Sequence, residues 1–140
     1  MSKLPALSKE QFESKLRDCN ENFEKGDYNR CIFLLEEAWD FIPDPKGIYS
    51  EESYHLVKDI IHISLKSNDF SKANEWAGKL FLTGYDRIDS GDKEFLSGRV
   101  AFELGDFETA KEFFRIGNDK SEGRCFGSAK NAKYLKFFKS

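Results

Sequence analysis

Apolar residues recur along this chain at helical spacing, in three stretches that are each followed by a shorter one. In the first stretch, Phe12, Leu16, Cys19 and Phe23 fall at intervals of four, three and four residues. That spacing places all four side chains on one face of a helix. The same kind of stripe recurs at Tyr54, Val57 or Lys58, Ile61 and Leu65, and again at Phe95, Gly98 and Phe102. We expect Phe23, Phe102, Phe107 and Phe114 to be largely buried.

A three-residue phrase separates the two helices of each stretch. The phrases are Gly26-Asp27-Tyr28, Asn68-Asp69-Phe70 and Gly105-Asp106-Phe107. The first residue of each phrase tolerates a left-handed backbone and can end a helix, and the Asp can cap the next helix. We therefore predict helices over 8–25 and 28–41, 51–67 and 70–82, and 92–104 and 107–117. Ser8 and Ser50 are the predicted N-caps of the first two leading helices.

Helix-breaking residues separate these pairs. They are Pro43, Pro45 and Gly47 after the first pair, and Gly84, Asp86, Asp89 and Gly91 after the second. A last short helix near 128–138 is predicted to turn Ala132, Leu135 and Phe138 inward and to cap the end of the array. The pattern thus predicts an all-α fold of three antiparallel helix pairs with a C-terminal capping helix.

The repeated phrase and the residues after it resemble the tetratricopeptide repeat (TPR) family. The matching positions are Gly26, Tyr28, Cys31, Leu35, Ala38 and Pro43 in the first unit; Asn68, Phe70, Ala73 and Leu80 in the second; and Gly98, Gly105, Phe107, Ala110, Phe114 and Gly117 in the third. The resemblance covers most of residues 12–117. It implies a short right-handed TPR-like solenoid in one domain, residues 1–140, with units at about 8–42, 50–83 and 91–118 and the capping helix. The phrase recurs after 42 and then 37 residues, whereas the family repeat has about 34, so the linkers here are longer.

The residue types that perform catalysis or bind metals are scarce and poorly spaced. His55 and His62 lie seven residues apart on one predicted helix, about 10 Å along its axis, which is too far to share a zinc ion. The acidic residues Asp86, Asp89 and Asp92 with Gly91 have the wrong order for a calcium loop, so capping explains them better. We expect no enzyme activity, no metal, no cofactor and no small-molecule substrate.

The three cysteines are predicted to be reduced thiols. Cys19 and Cys31 occupy small-residue positions on facing helices, so we expect them to be buried neighbours that serve packing. Cys125 follows Arg124, which could lower the pKa of its thiol. The odd number of Cys, the absence of a signal-like apolar run and the absence of 18 consecutive apolar residues lead us to expect a cytoplasmic protein without a membrane segment.

Charge is distributed unevenly around a net value of −3. Residues 1–60 carry a net charge of −5, and residues 111–140 carry +5. The basic residues of the tail include Arg115, Lys120, Arg124, Lys130, Lys133, Lys136 and Lys139. With the aromatics among them they could touch nucleic acid, but we favour a solvated face on the capping helix. The acidic body would attract a basic partner instead.

In solenoids of this family the first helix of each unit lines the concave surface, so the polar stripe beside each core stripe is the candidate partner-binding surface. Its residues are Glu13, Arg17, Asn20 and Glu24; His55, Asp59, His62 and Lys66; and Asp92, Leu96, Arg99 and Glu103.

The sequence therefore predicts a non-catalytic module that binds another protein. The segments Gly123-Arg124-Cys125-Phe126 and Lys133-Tyr134-Leu135-Lys136-Phe137 look like those of small TPR-like immunity proteins found beside bacterial toxins. That resemblance implies binding and neutralisation of a cognate toxin, for which a basic toxin domain would suit the acidic body. Two alternatives stay open. One is a general TPR scaffold or co-chaperone, and the other is an RNA-binding or regulatory protein that uses the basic tail.

Overall fold

A computed structural model describes residues 3–83 and 90–140 of the chain, and the elements in those residues are helical. The α-helices there are α1 (Ala6–Glu24), α2 (Tyr28–Asp40), α3 (Ser50–Lys66), α4 (Phe70–Leu80), α5 (Asp92–Glu103), α6 (Phe107–Ser121) and α7 (Ala132–Lys139). No strand occurs within these ranges, which confirms the all-α prediction for them. The predicted breakers Gly84, Asp86 and Asp89 lie outside the described residues.

The chain divides into two compact units, residues 1–85 and residues 86–140. In the first unit α1 packs on α2, α3 packs on α4, and α2 joins the two hairpins by packing on α3. In the second unit α5 packs on α6, and α7 contacts α6. The single domain over residues 1–140 stays a prediction.

The repeated phrases form the same turn three times. Gly26, Asn68 and Gly105 have φ angles of 77°, 61° and 82°, which is the left-handed region that ends a helix. Asp27, Asp69 and Asp106 then accept hydrogen bonds, at 3.1–3.2 Å, from the backbone N–H three residues further on. Each Asp therefore caps the helix that follows it, as the sequence predicted.

The first unit has an aliphatic core. Its most deeply buried large side chains lie on α2, α3 and α4 and in the turn after α2: Leu34, Leu35, Ile42, Leu56, Val57, Ile60, Ile61 and Leu80. A polar contact also joins the hairpins, because the Glu36 carboxylate of α2 accepts hydrogen bonds from Lys72 Nζ (3.1 Å) and Trp76 Nε1 (3.2 Å) of α4. The two hairpins are therefore held together by burial and by a hydrogen-bonded ion pair.

The second unit has an aromatic core centred on Phe114, which is fully buried. Its ring lies 5.5 Å from Phe95, 5.5 Å from Phe126 and 5.8 Å from Tyr134, measured between centroids. Gly98 of α5 faces this ring, and a Cβ there would lie 2.6 Å from two of its carbons. A side chain at this position would therefore force the Phe114 ring to shift, so glycine suits the close packing of α5 on α6.

The capping helix α7 is anchored differently from the prediction. Ala132 is exposed, and Leu135 and Phe138 are half-buried, whereas Tyr134 is buried. The Tyr134 hydroxyl donates a 2.9 Å hydrogen bond to Glu103. The Tyr134 ring thus packs in the aromatic core, while its hydroxyl is hydrogen-bonded to Glu103 of α5.

Two predicted core residues are in fact exposed. Phe23 is 39% exposed and Phe107 is 52% exposed. Each instead packs beside an aromatic across its own turn, with 5.5 Å between the centroids of Phe23 and Tyr28 and 5.5 Å between those of Phe102 and Phe107. A residue at a helix end points in the same direction as the rest of the apolar stripe but lies at the edge of the packed layer. Periodicity gives only the direction, so it wrongly predicted that both residues are buried.

Three helix boundaries also differ from the prediction. Ser8 is inside α1, which begins after Pro5, and Ser50 is the first residue of α3, so neither caps its helix. Gly117 was expected to end α6, but the helix continues to Ser121. Gly117 instead lets the α6 backbone approach Gly91, where a Cβ would lie 2.5 Å from the Gly117 carbonyl oxygen.

Candidate functional site

The candidate site is a groove of about 450 Å³ in the first unit, which we call the α1–α3 groove. α1 contributes Leu16, Cys19, Asn20 and Phe23, α3 contributes Asp59, His62 and Ile63, and α2 contributes Leu35. Helical spacing explains the set, because residues three or four apart share one face of a helix. The volume is within the range of sites that bind a small ligand or a side chain of a partner.

Three of the predicted partner-binding residues meet in this groove: Asn20, Asp59 and His62. The others on α1, Glu13, Arg17 and Glu24, are exposed, as are His55 and Lys66 on α3. The prediction missed the apolar walls, because it assigned Leu16 and Phe23 to the core. The signal was present in the stripe itself, since Leu16, Asn20 and Phe23 fall at intervals of four and three residues.

Asp59 supplies the carboxylate among the residues that line the groove. Burial raises its pKa, and the nearby positive charges of His55 and Lys58 only partly offset that effect. The groove walls displace part of the hydration of the carboxylate, but they do not enclose it, because the side chain still reaches water.

The exposed aromatic end of the groove carries a cation of its own. Lys66 Nζ lies 5.4 Å from the centroid of the Phe23 ring and 5.9 Å from that of the Tyr28 ring. These distances are within the range of cation–π attraction. Asp59 lines the groove, and the basic side chain of Lys66 lies beside its aromatic end. The two residues are seven apart on α3, a separation of about 10 Å along the helix axis.

Cys19, Asp59 and His62 are residue types that occur in cysteine hydrolases, but the thiol here is unsuited to attack. Burial raises the pKa of Cys19 to about 12, with further increases from Cys31 and Asp59. A nucleophilic cysteine needs the opposite shift, because the thiolate is the reactive form. Cys19 is also only 4% exposed.

The two buried cysteines are neighbours, as predicted, since Cys31 Sγ donates a 3.3 Å hydrogen bond to the Cys19 carbonyl oxygen. Both are free thiols. The expectation for Cys125 was wrong: burial is the largest influence on its thiol and raises the pKa, although its hydrogen bond with Ser121 acts in the opposite direction.

No cluster of three metal-ligating side chains exists in the part of the chain that the structure describes, which excludes Asp86 and Asp89 of the acidic segment. No helix within the same residues is long and apolar enough to cross a membrane.

The predicted residues of the second unit serve internal contacts. Glu103 accepts hydrogen bonds from Lys133 Nζ (2.7 Å) and from the Tyr134 hydroxyl (2.9 Å), and the Arg99 guanidinium lies over the Tyr134 ring at 5.4 Å. Burial alone would raise the pKa of Glu103, but the hydrogen bonds from Lys133 and Tyr134 outweigh it and lower the pKa. Asp92 is exposed and Leu96 is buried.

The basic tail is partly neutralised within the second unit. Arg115 pairs with Glu112 and Asp119, Lys120 pairs with Glu94, and Lys133 pairs with Glu103. These pairs reduce the positive charge available to a phosphate backbone.

No family model matches the chain, and no curated protein matches its sequence significantly.

Proposed function

We propose that this chain is a non-catalytic protein-binding module and that part of its partner lies in the α1–α3 groove. The observation that carries the proposal is the composition of the groove. Leu16, Leu35 and Ile63 provide apolar wall, and Asn20, Asp59 and His62 provide the few polar groups that fix orientation. Phe23 adds an exposed aromatic ring, a side chain enriched at protein interfaces.

A basic partner suits the charge of the first unit. Residues 1–85 carry 15 acidic and 11 basic side chains, a net charge of −4. Such a surface speeds association with a positively charged protein. The finer form of the proposal is that the hairpins are TPR-like repeats and that the chain is a bacterial immunity protein that neutralises a basic toxin. The ion pairs of the tail make the RNA-binding alternative the weaker one.

Filling the groove tests the proposal. Asn20→Trp places a large ring among the groove residues, and Gln11→Trp is the matched control. Gln11 is exposed on the same helix, and nine residues of an α-helix turn it to the opposite face. A partner is first captured by the wild-type chain from native cells, identified by mass spectrometry and purified, and its affinity for each variant is measured by isothermal titration calorimetry.

We expect Asn20→Trp to weaken partner binding at least tenfold and Gln11→Trp to leave it unchanged. Circular dichroism should show both variants folded, since both positions are exposed. Equal affinity for the two folded variants would refute the use of this groove.

A further inference from the structure

The α1–α3 groove places the Asp59 carboxylate among apolar side chains of α1, α2 and α3. The positive charges of His55 and Lys58 on the same helix act on Asp59, but burial beside the apolar walls outweighs them and raises the pKa of its carboxyl group. Apolar walls displace part of the hydration of this exposed carboxylate, and a cation placed against it provides a charge-assisted hydrogen bond in its place. The geometry of the groove is therefore complementary to a positive group.

The walls around Asp59 restrict what that positive group can be. Leu16, Leu35 and Ile63 are apolar and suit a hydrocarbon chain, so a fully hydrated ion would have to lose its water against them. An arginine or lysine side chain can lie along such a surface with its aliphatic stem and extend its charge to a carboxylate. Arginine is the better fit, because guanidinium is more weakly hydrated than ammonium and forms paired hydrogen bonds with carboxylates.

Lys66 determines which part of the groove the cation can use. Its Nζ lies over the Phe23 and Tyr28 rings, at 5.4 Å and 5.9 Å from their centroids. A second cation at that end would meet a like charge, whereas one at Asp59 would meet the opposite charge. The incoming cation is thus directed to the middle of α3 rather than to the exposed aromatic rings.

From this arrangement we infer that the partner protein inserts an arginine side chain into the α1–α3 groove and pairs its guanidinium with Asp59. The inference rests on the proposed function and deepens it, because it names the chemistry of the segment that the groove recognises. The arginine has apolar neighbours in the partner segment, which contact the groove walls and the Phe23 ring.

The test uses the full chain, labelled with ¹⁵N, and four synthetic probes. The first is the acetylated and amidated peptide Gly-Leu-Arg-Leu-Gly. The second replaces arginine with citrulline, which is nearly isosteric and uncharged. The third replaces it with lysine, and the fourth is the single residue N-acetyl-arginine amide. Binding is followed by amide chemical shifts, and the protein variants are Asp59→Asn and Asp40→Asn. Asp40 is exposed at the end of α2 and is the matched control for loss of one charge.

We expect the arginine peptide to produce saturable shifts at Asn20, Asp59 and His62, and to bind at least tenfold more tightly than the citrulline peptide. The lysine peptide should bind between the two, and the single residue should bind more weakly than the arginine peptide. Asp59→Asn should reduce affinity for the arginine peptide at least tenfold, and Asp40→Asn should not. Because Asp59 is exposed, Asp59→Asn should keep the wild-type circular dichroism spectrum.

Equal binding of the arginine and citrulline peptides, or an unchanged affinity in Asp59→Asn, would overturn the inference. If N-acetyl-arginine amide binds as tightly as the arginine peptide, the inference that the groove recognises a protein segment is overturned. The two proposals fail separately. If no peptide binds but Asn20→Trp abolishes partner binding, the arginine is wrong and the groove is right. If the arginine peptide binds through Asp59 but Asn20→Trp leaves partner binding intact, the proposed function is wrong.

Discussion

Gly98 offers a quantitative test of how the second unit is packed. A Cβ added there would lie 2.6 Å from two carbons of the Phe114 ring and 3.2 Å from a third. That ring has little room to retreat, because it is fully buried among Phe95, Phe126 and Tyr134. Forcing a methyl group into a packed core costs about 1–3 kcal/mol. Replacing a helical glycine by alanine gains about 1 kcal/mol of helix propensity. The difference leaves a net loss, so we expect Gly98→Ala to lower the free energy of unfolding by up to about 2 kcal/mol.

Gly78 of α4 is the matched control, because a Cβ there meets nothing within 4 Å. Gly78→Ala should therefore raise the free energy of unfolding by about 0.5–1 kcal/mol. Urea unfolding followed by circular dichroism at 222 nm measures both changes, and each is read in the transition of its own unit if there are two. In a Phe114→Leu background Gly98→Ala should no longer be destabilising and should raise the free energy of unfolding by up to about 1 kcal/mol, because the clashing ring is gone and the gain in helix propensity remains. A stabilising Gly98→Ala in the wild-type background would refute the packing described for Phe114.

The caps, the Glu103 contacts and the thiols give three further predictions. Asp69→Ala should lower the free energy of unfolding by about 1 kcal/mol because the Lys72 N–H loses its acceptor. Asp69→Ser should retain most of the wild-type stability, because a serine hydroxyl can accept the same hydrogen bond. Equal losses of stability in the two variants would contradict the capping role of Asp69. Since the folded-state pKa of Glu103 lies below its unfolded value, its contribution is present above about pH 4.3 and is lost as the pH falls through the folded pKa. The stability difference between wild type and Glu103→Gln should thus shrink in urea titrations from pH 7 to pH 3, and a constant difference would oppose that account. In native protein at pH 8, a disulfide reagent should label the half-buried Cys125 before the buried Cys19 or Cys31. The reason for Cys19 is that a pKa of about 12 leaves roughly one thiol in ten thousand ionised. Mass mapping that finds Cys19 labelled first would disprove this prediction.

The local signals in the sequence predicted the hairpins well. The turn phrases worked because each uses two independent constraints, a residue that accepts positive φ and an Asp that caps the next helix. Where only one constraint was present, the prediction failed. Ser8 and Ser50 had cap chemistry, but the residues directly before them, Leu7 and Tyr49, do not favour positive φ. Ser8 lies inside α1, and Ser50 is the first residue of α3.

The candidate site was less predictable, because periodicity gives the direction of a side chain but not its depth. Asn20, Asp59 and His62 were placed on the partner-facing surface from the polar stripe, and the structure brings these three together. The same logic placed Arg99 and Glu103 there, but Tyr134 and Lys133 contact them, and a contact with a helix about 30 residues away leaves no periodic signal. The groove walls were missed for a related reason, since an apolar residue at the edge of a layer has the same sequence pattern as one at its centre.

Position-specific photo-cross-linking in native cells is the most direct test of the central claim that a partner protein lies in the α1–α3 groove. A photoreactive benzoylphenylalanine is placed at Asn20, at His62 or, as the control, at Gln11 on the opposite face of α1. We predict that Asn20 and His62 give a cross-linked product containing one and the same partner, and that Gln11 gives little of it. Efficient cross-linking of that partner through Gln11, with none through Asn20 or His62, would contradict the account.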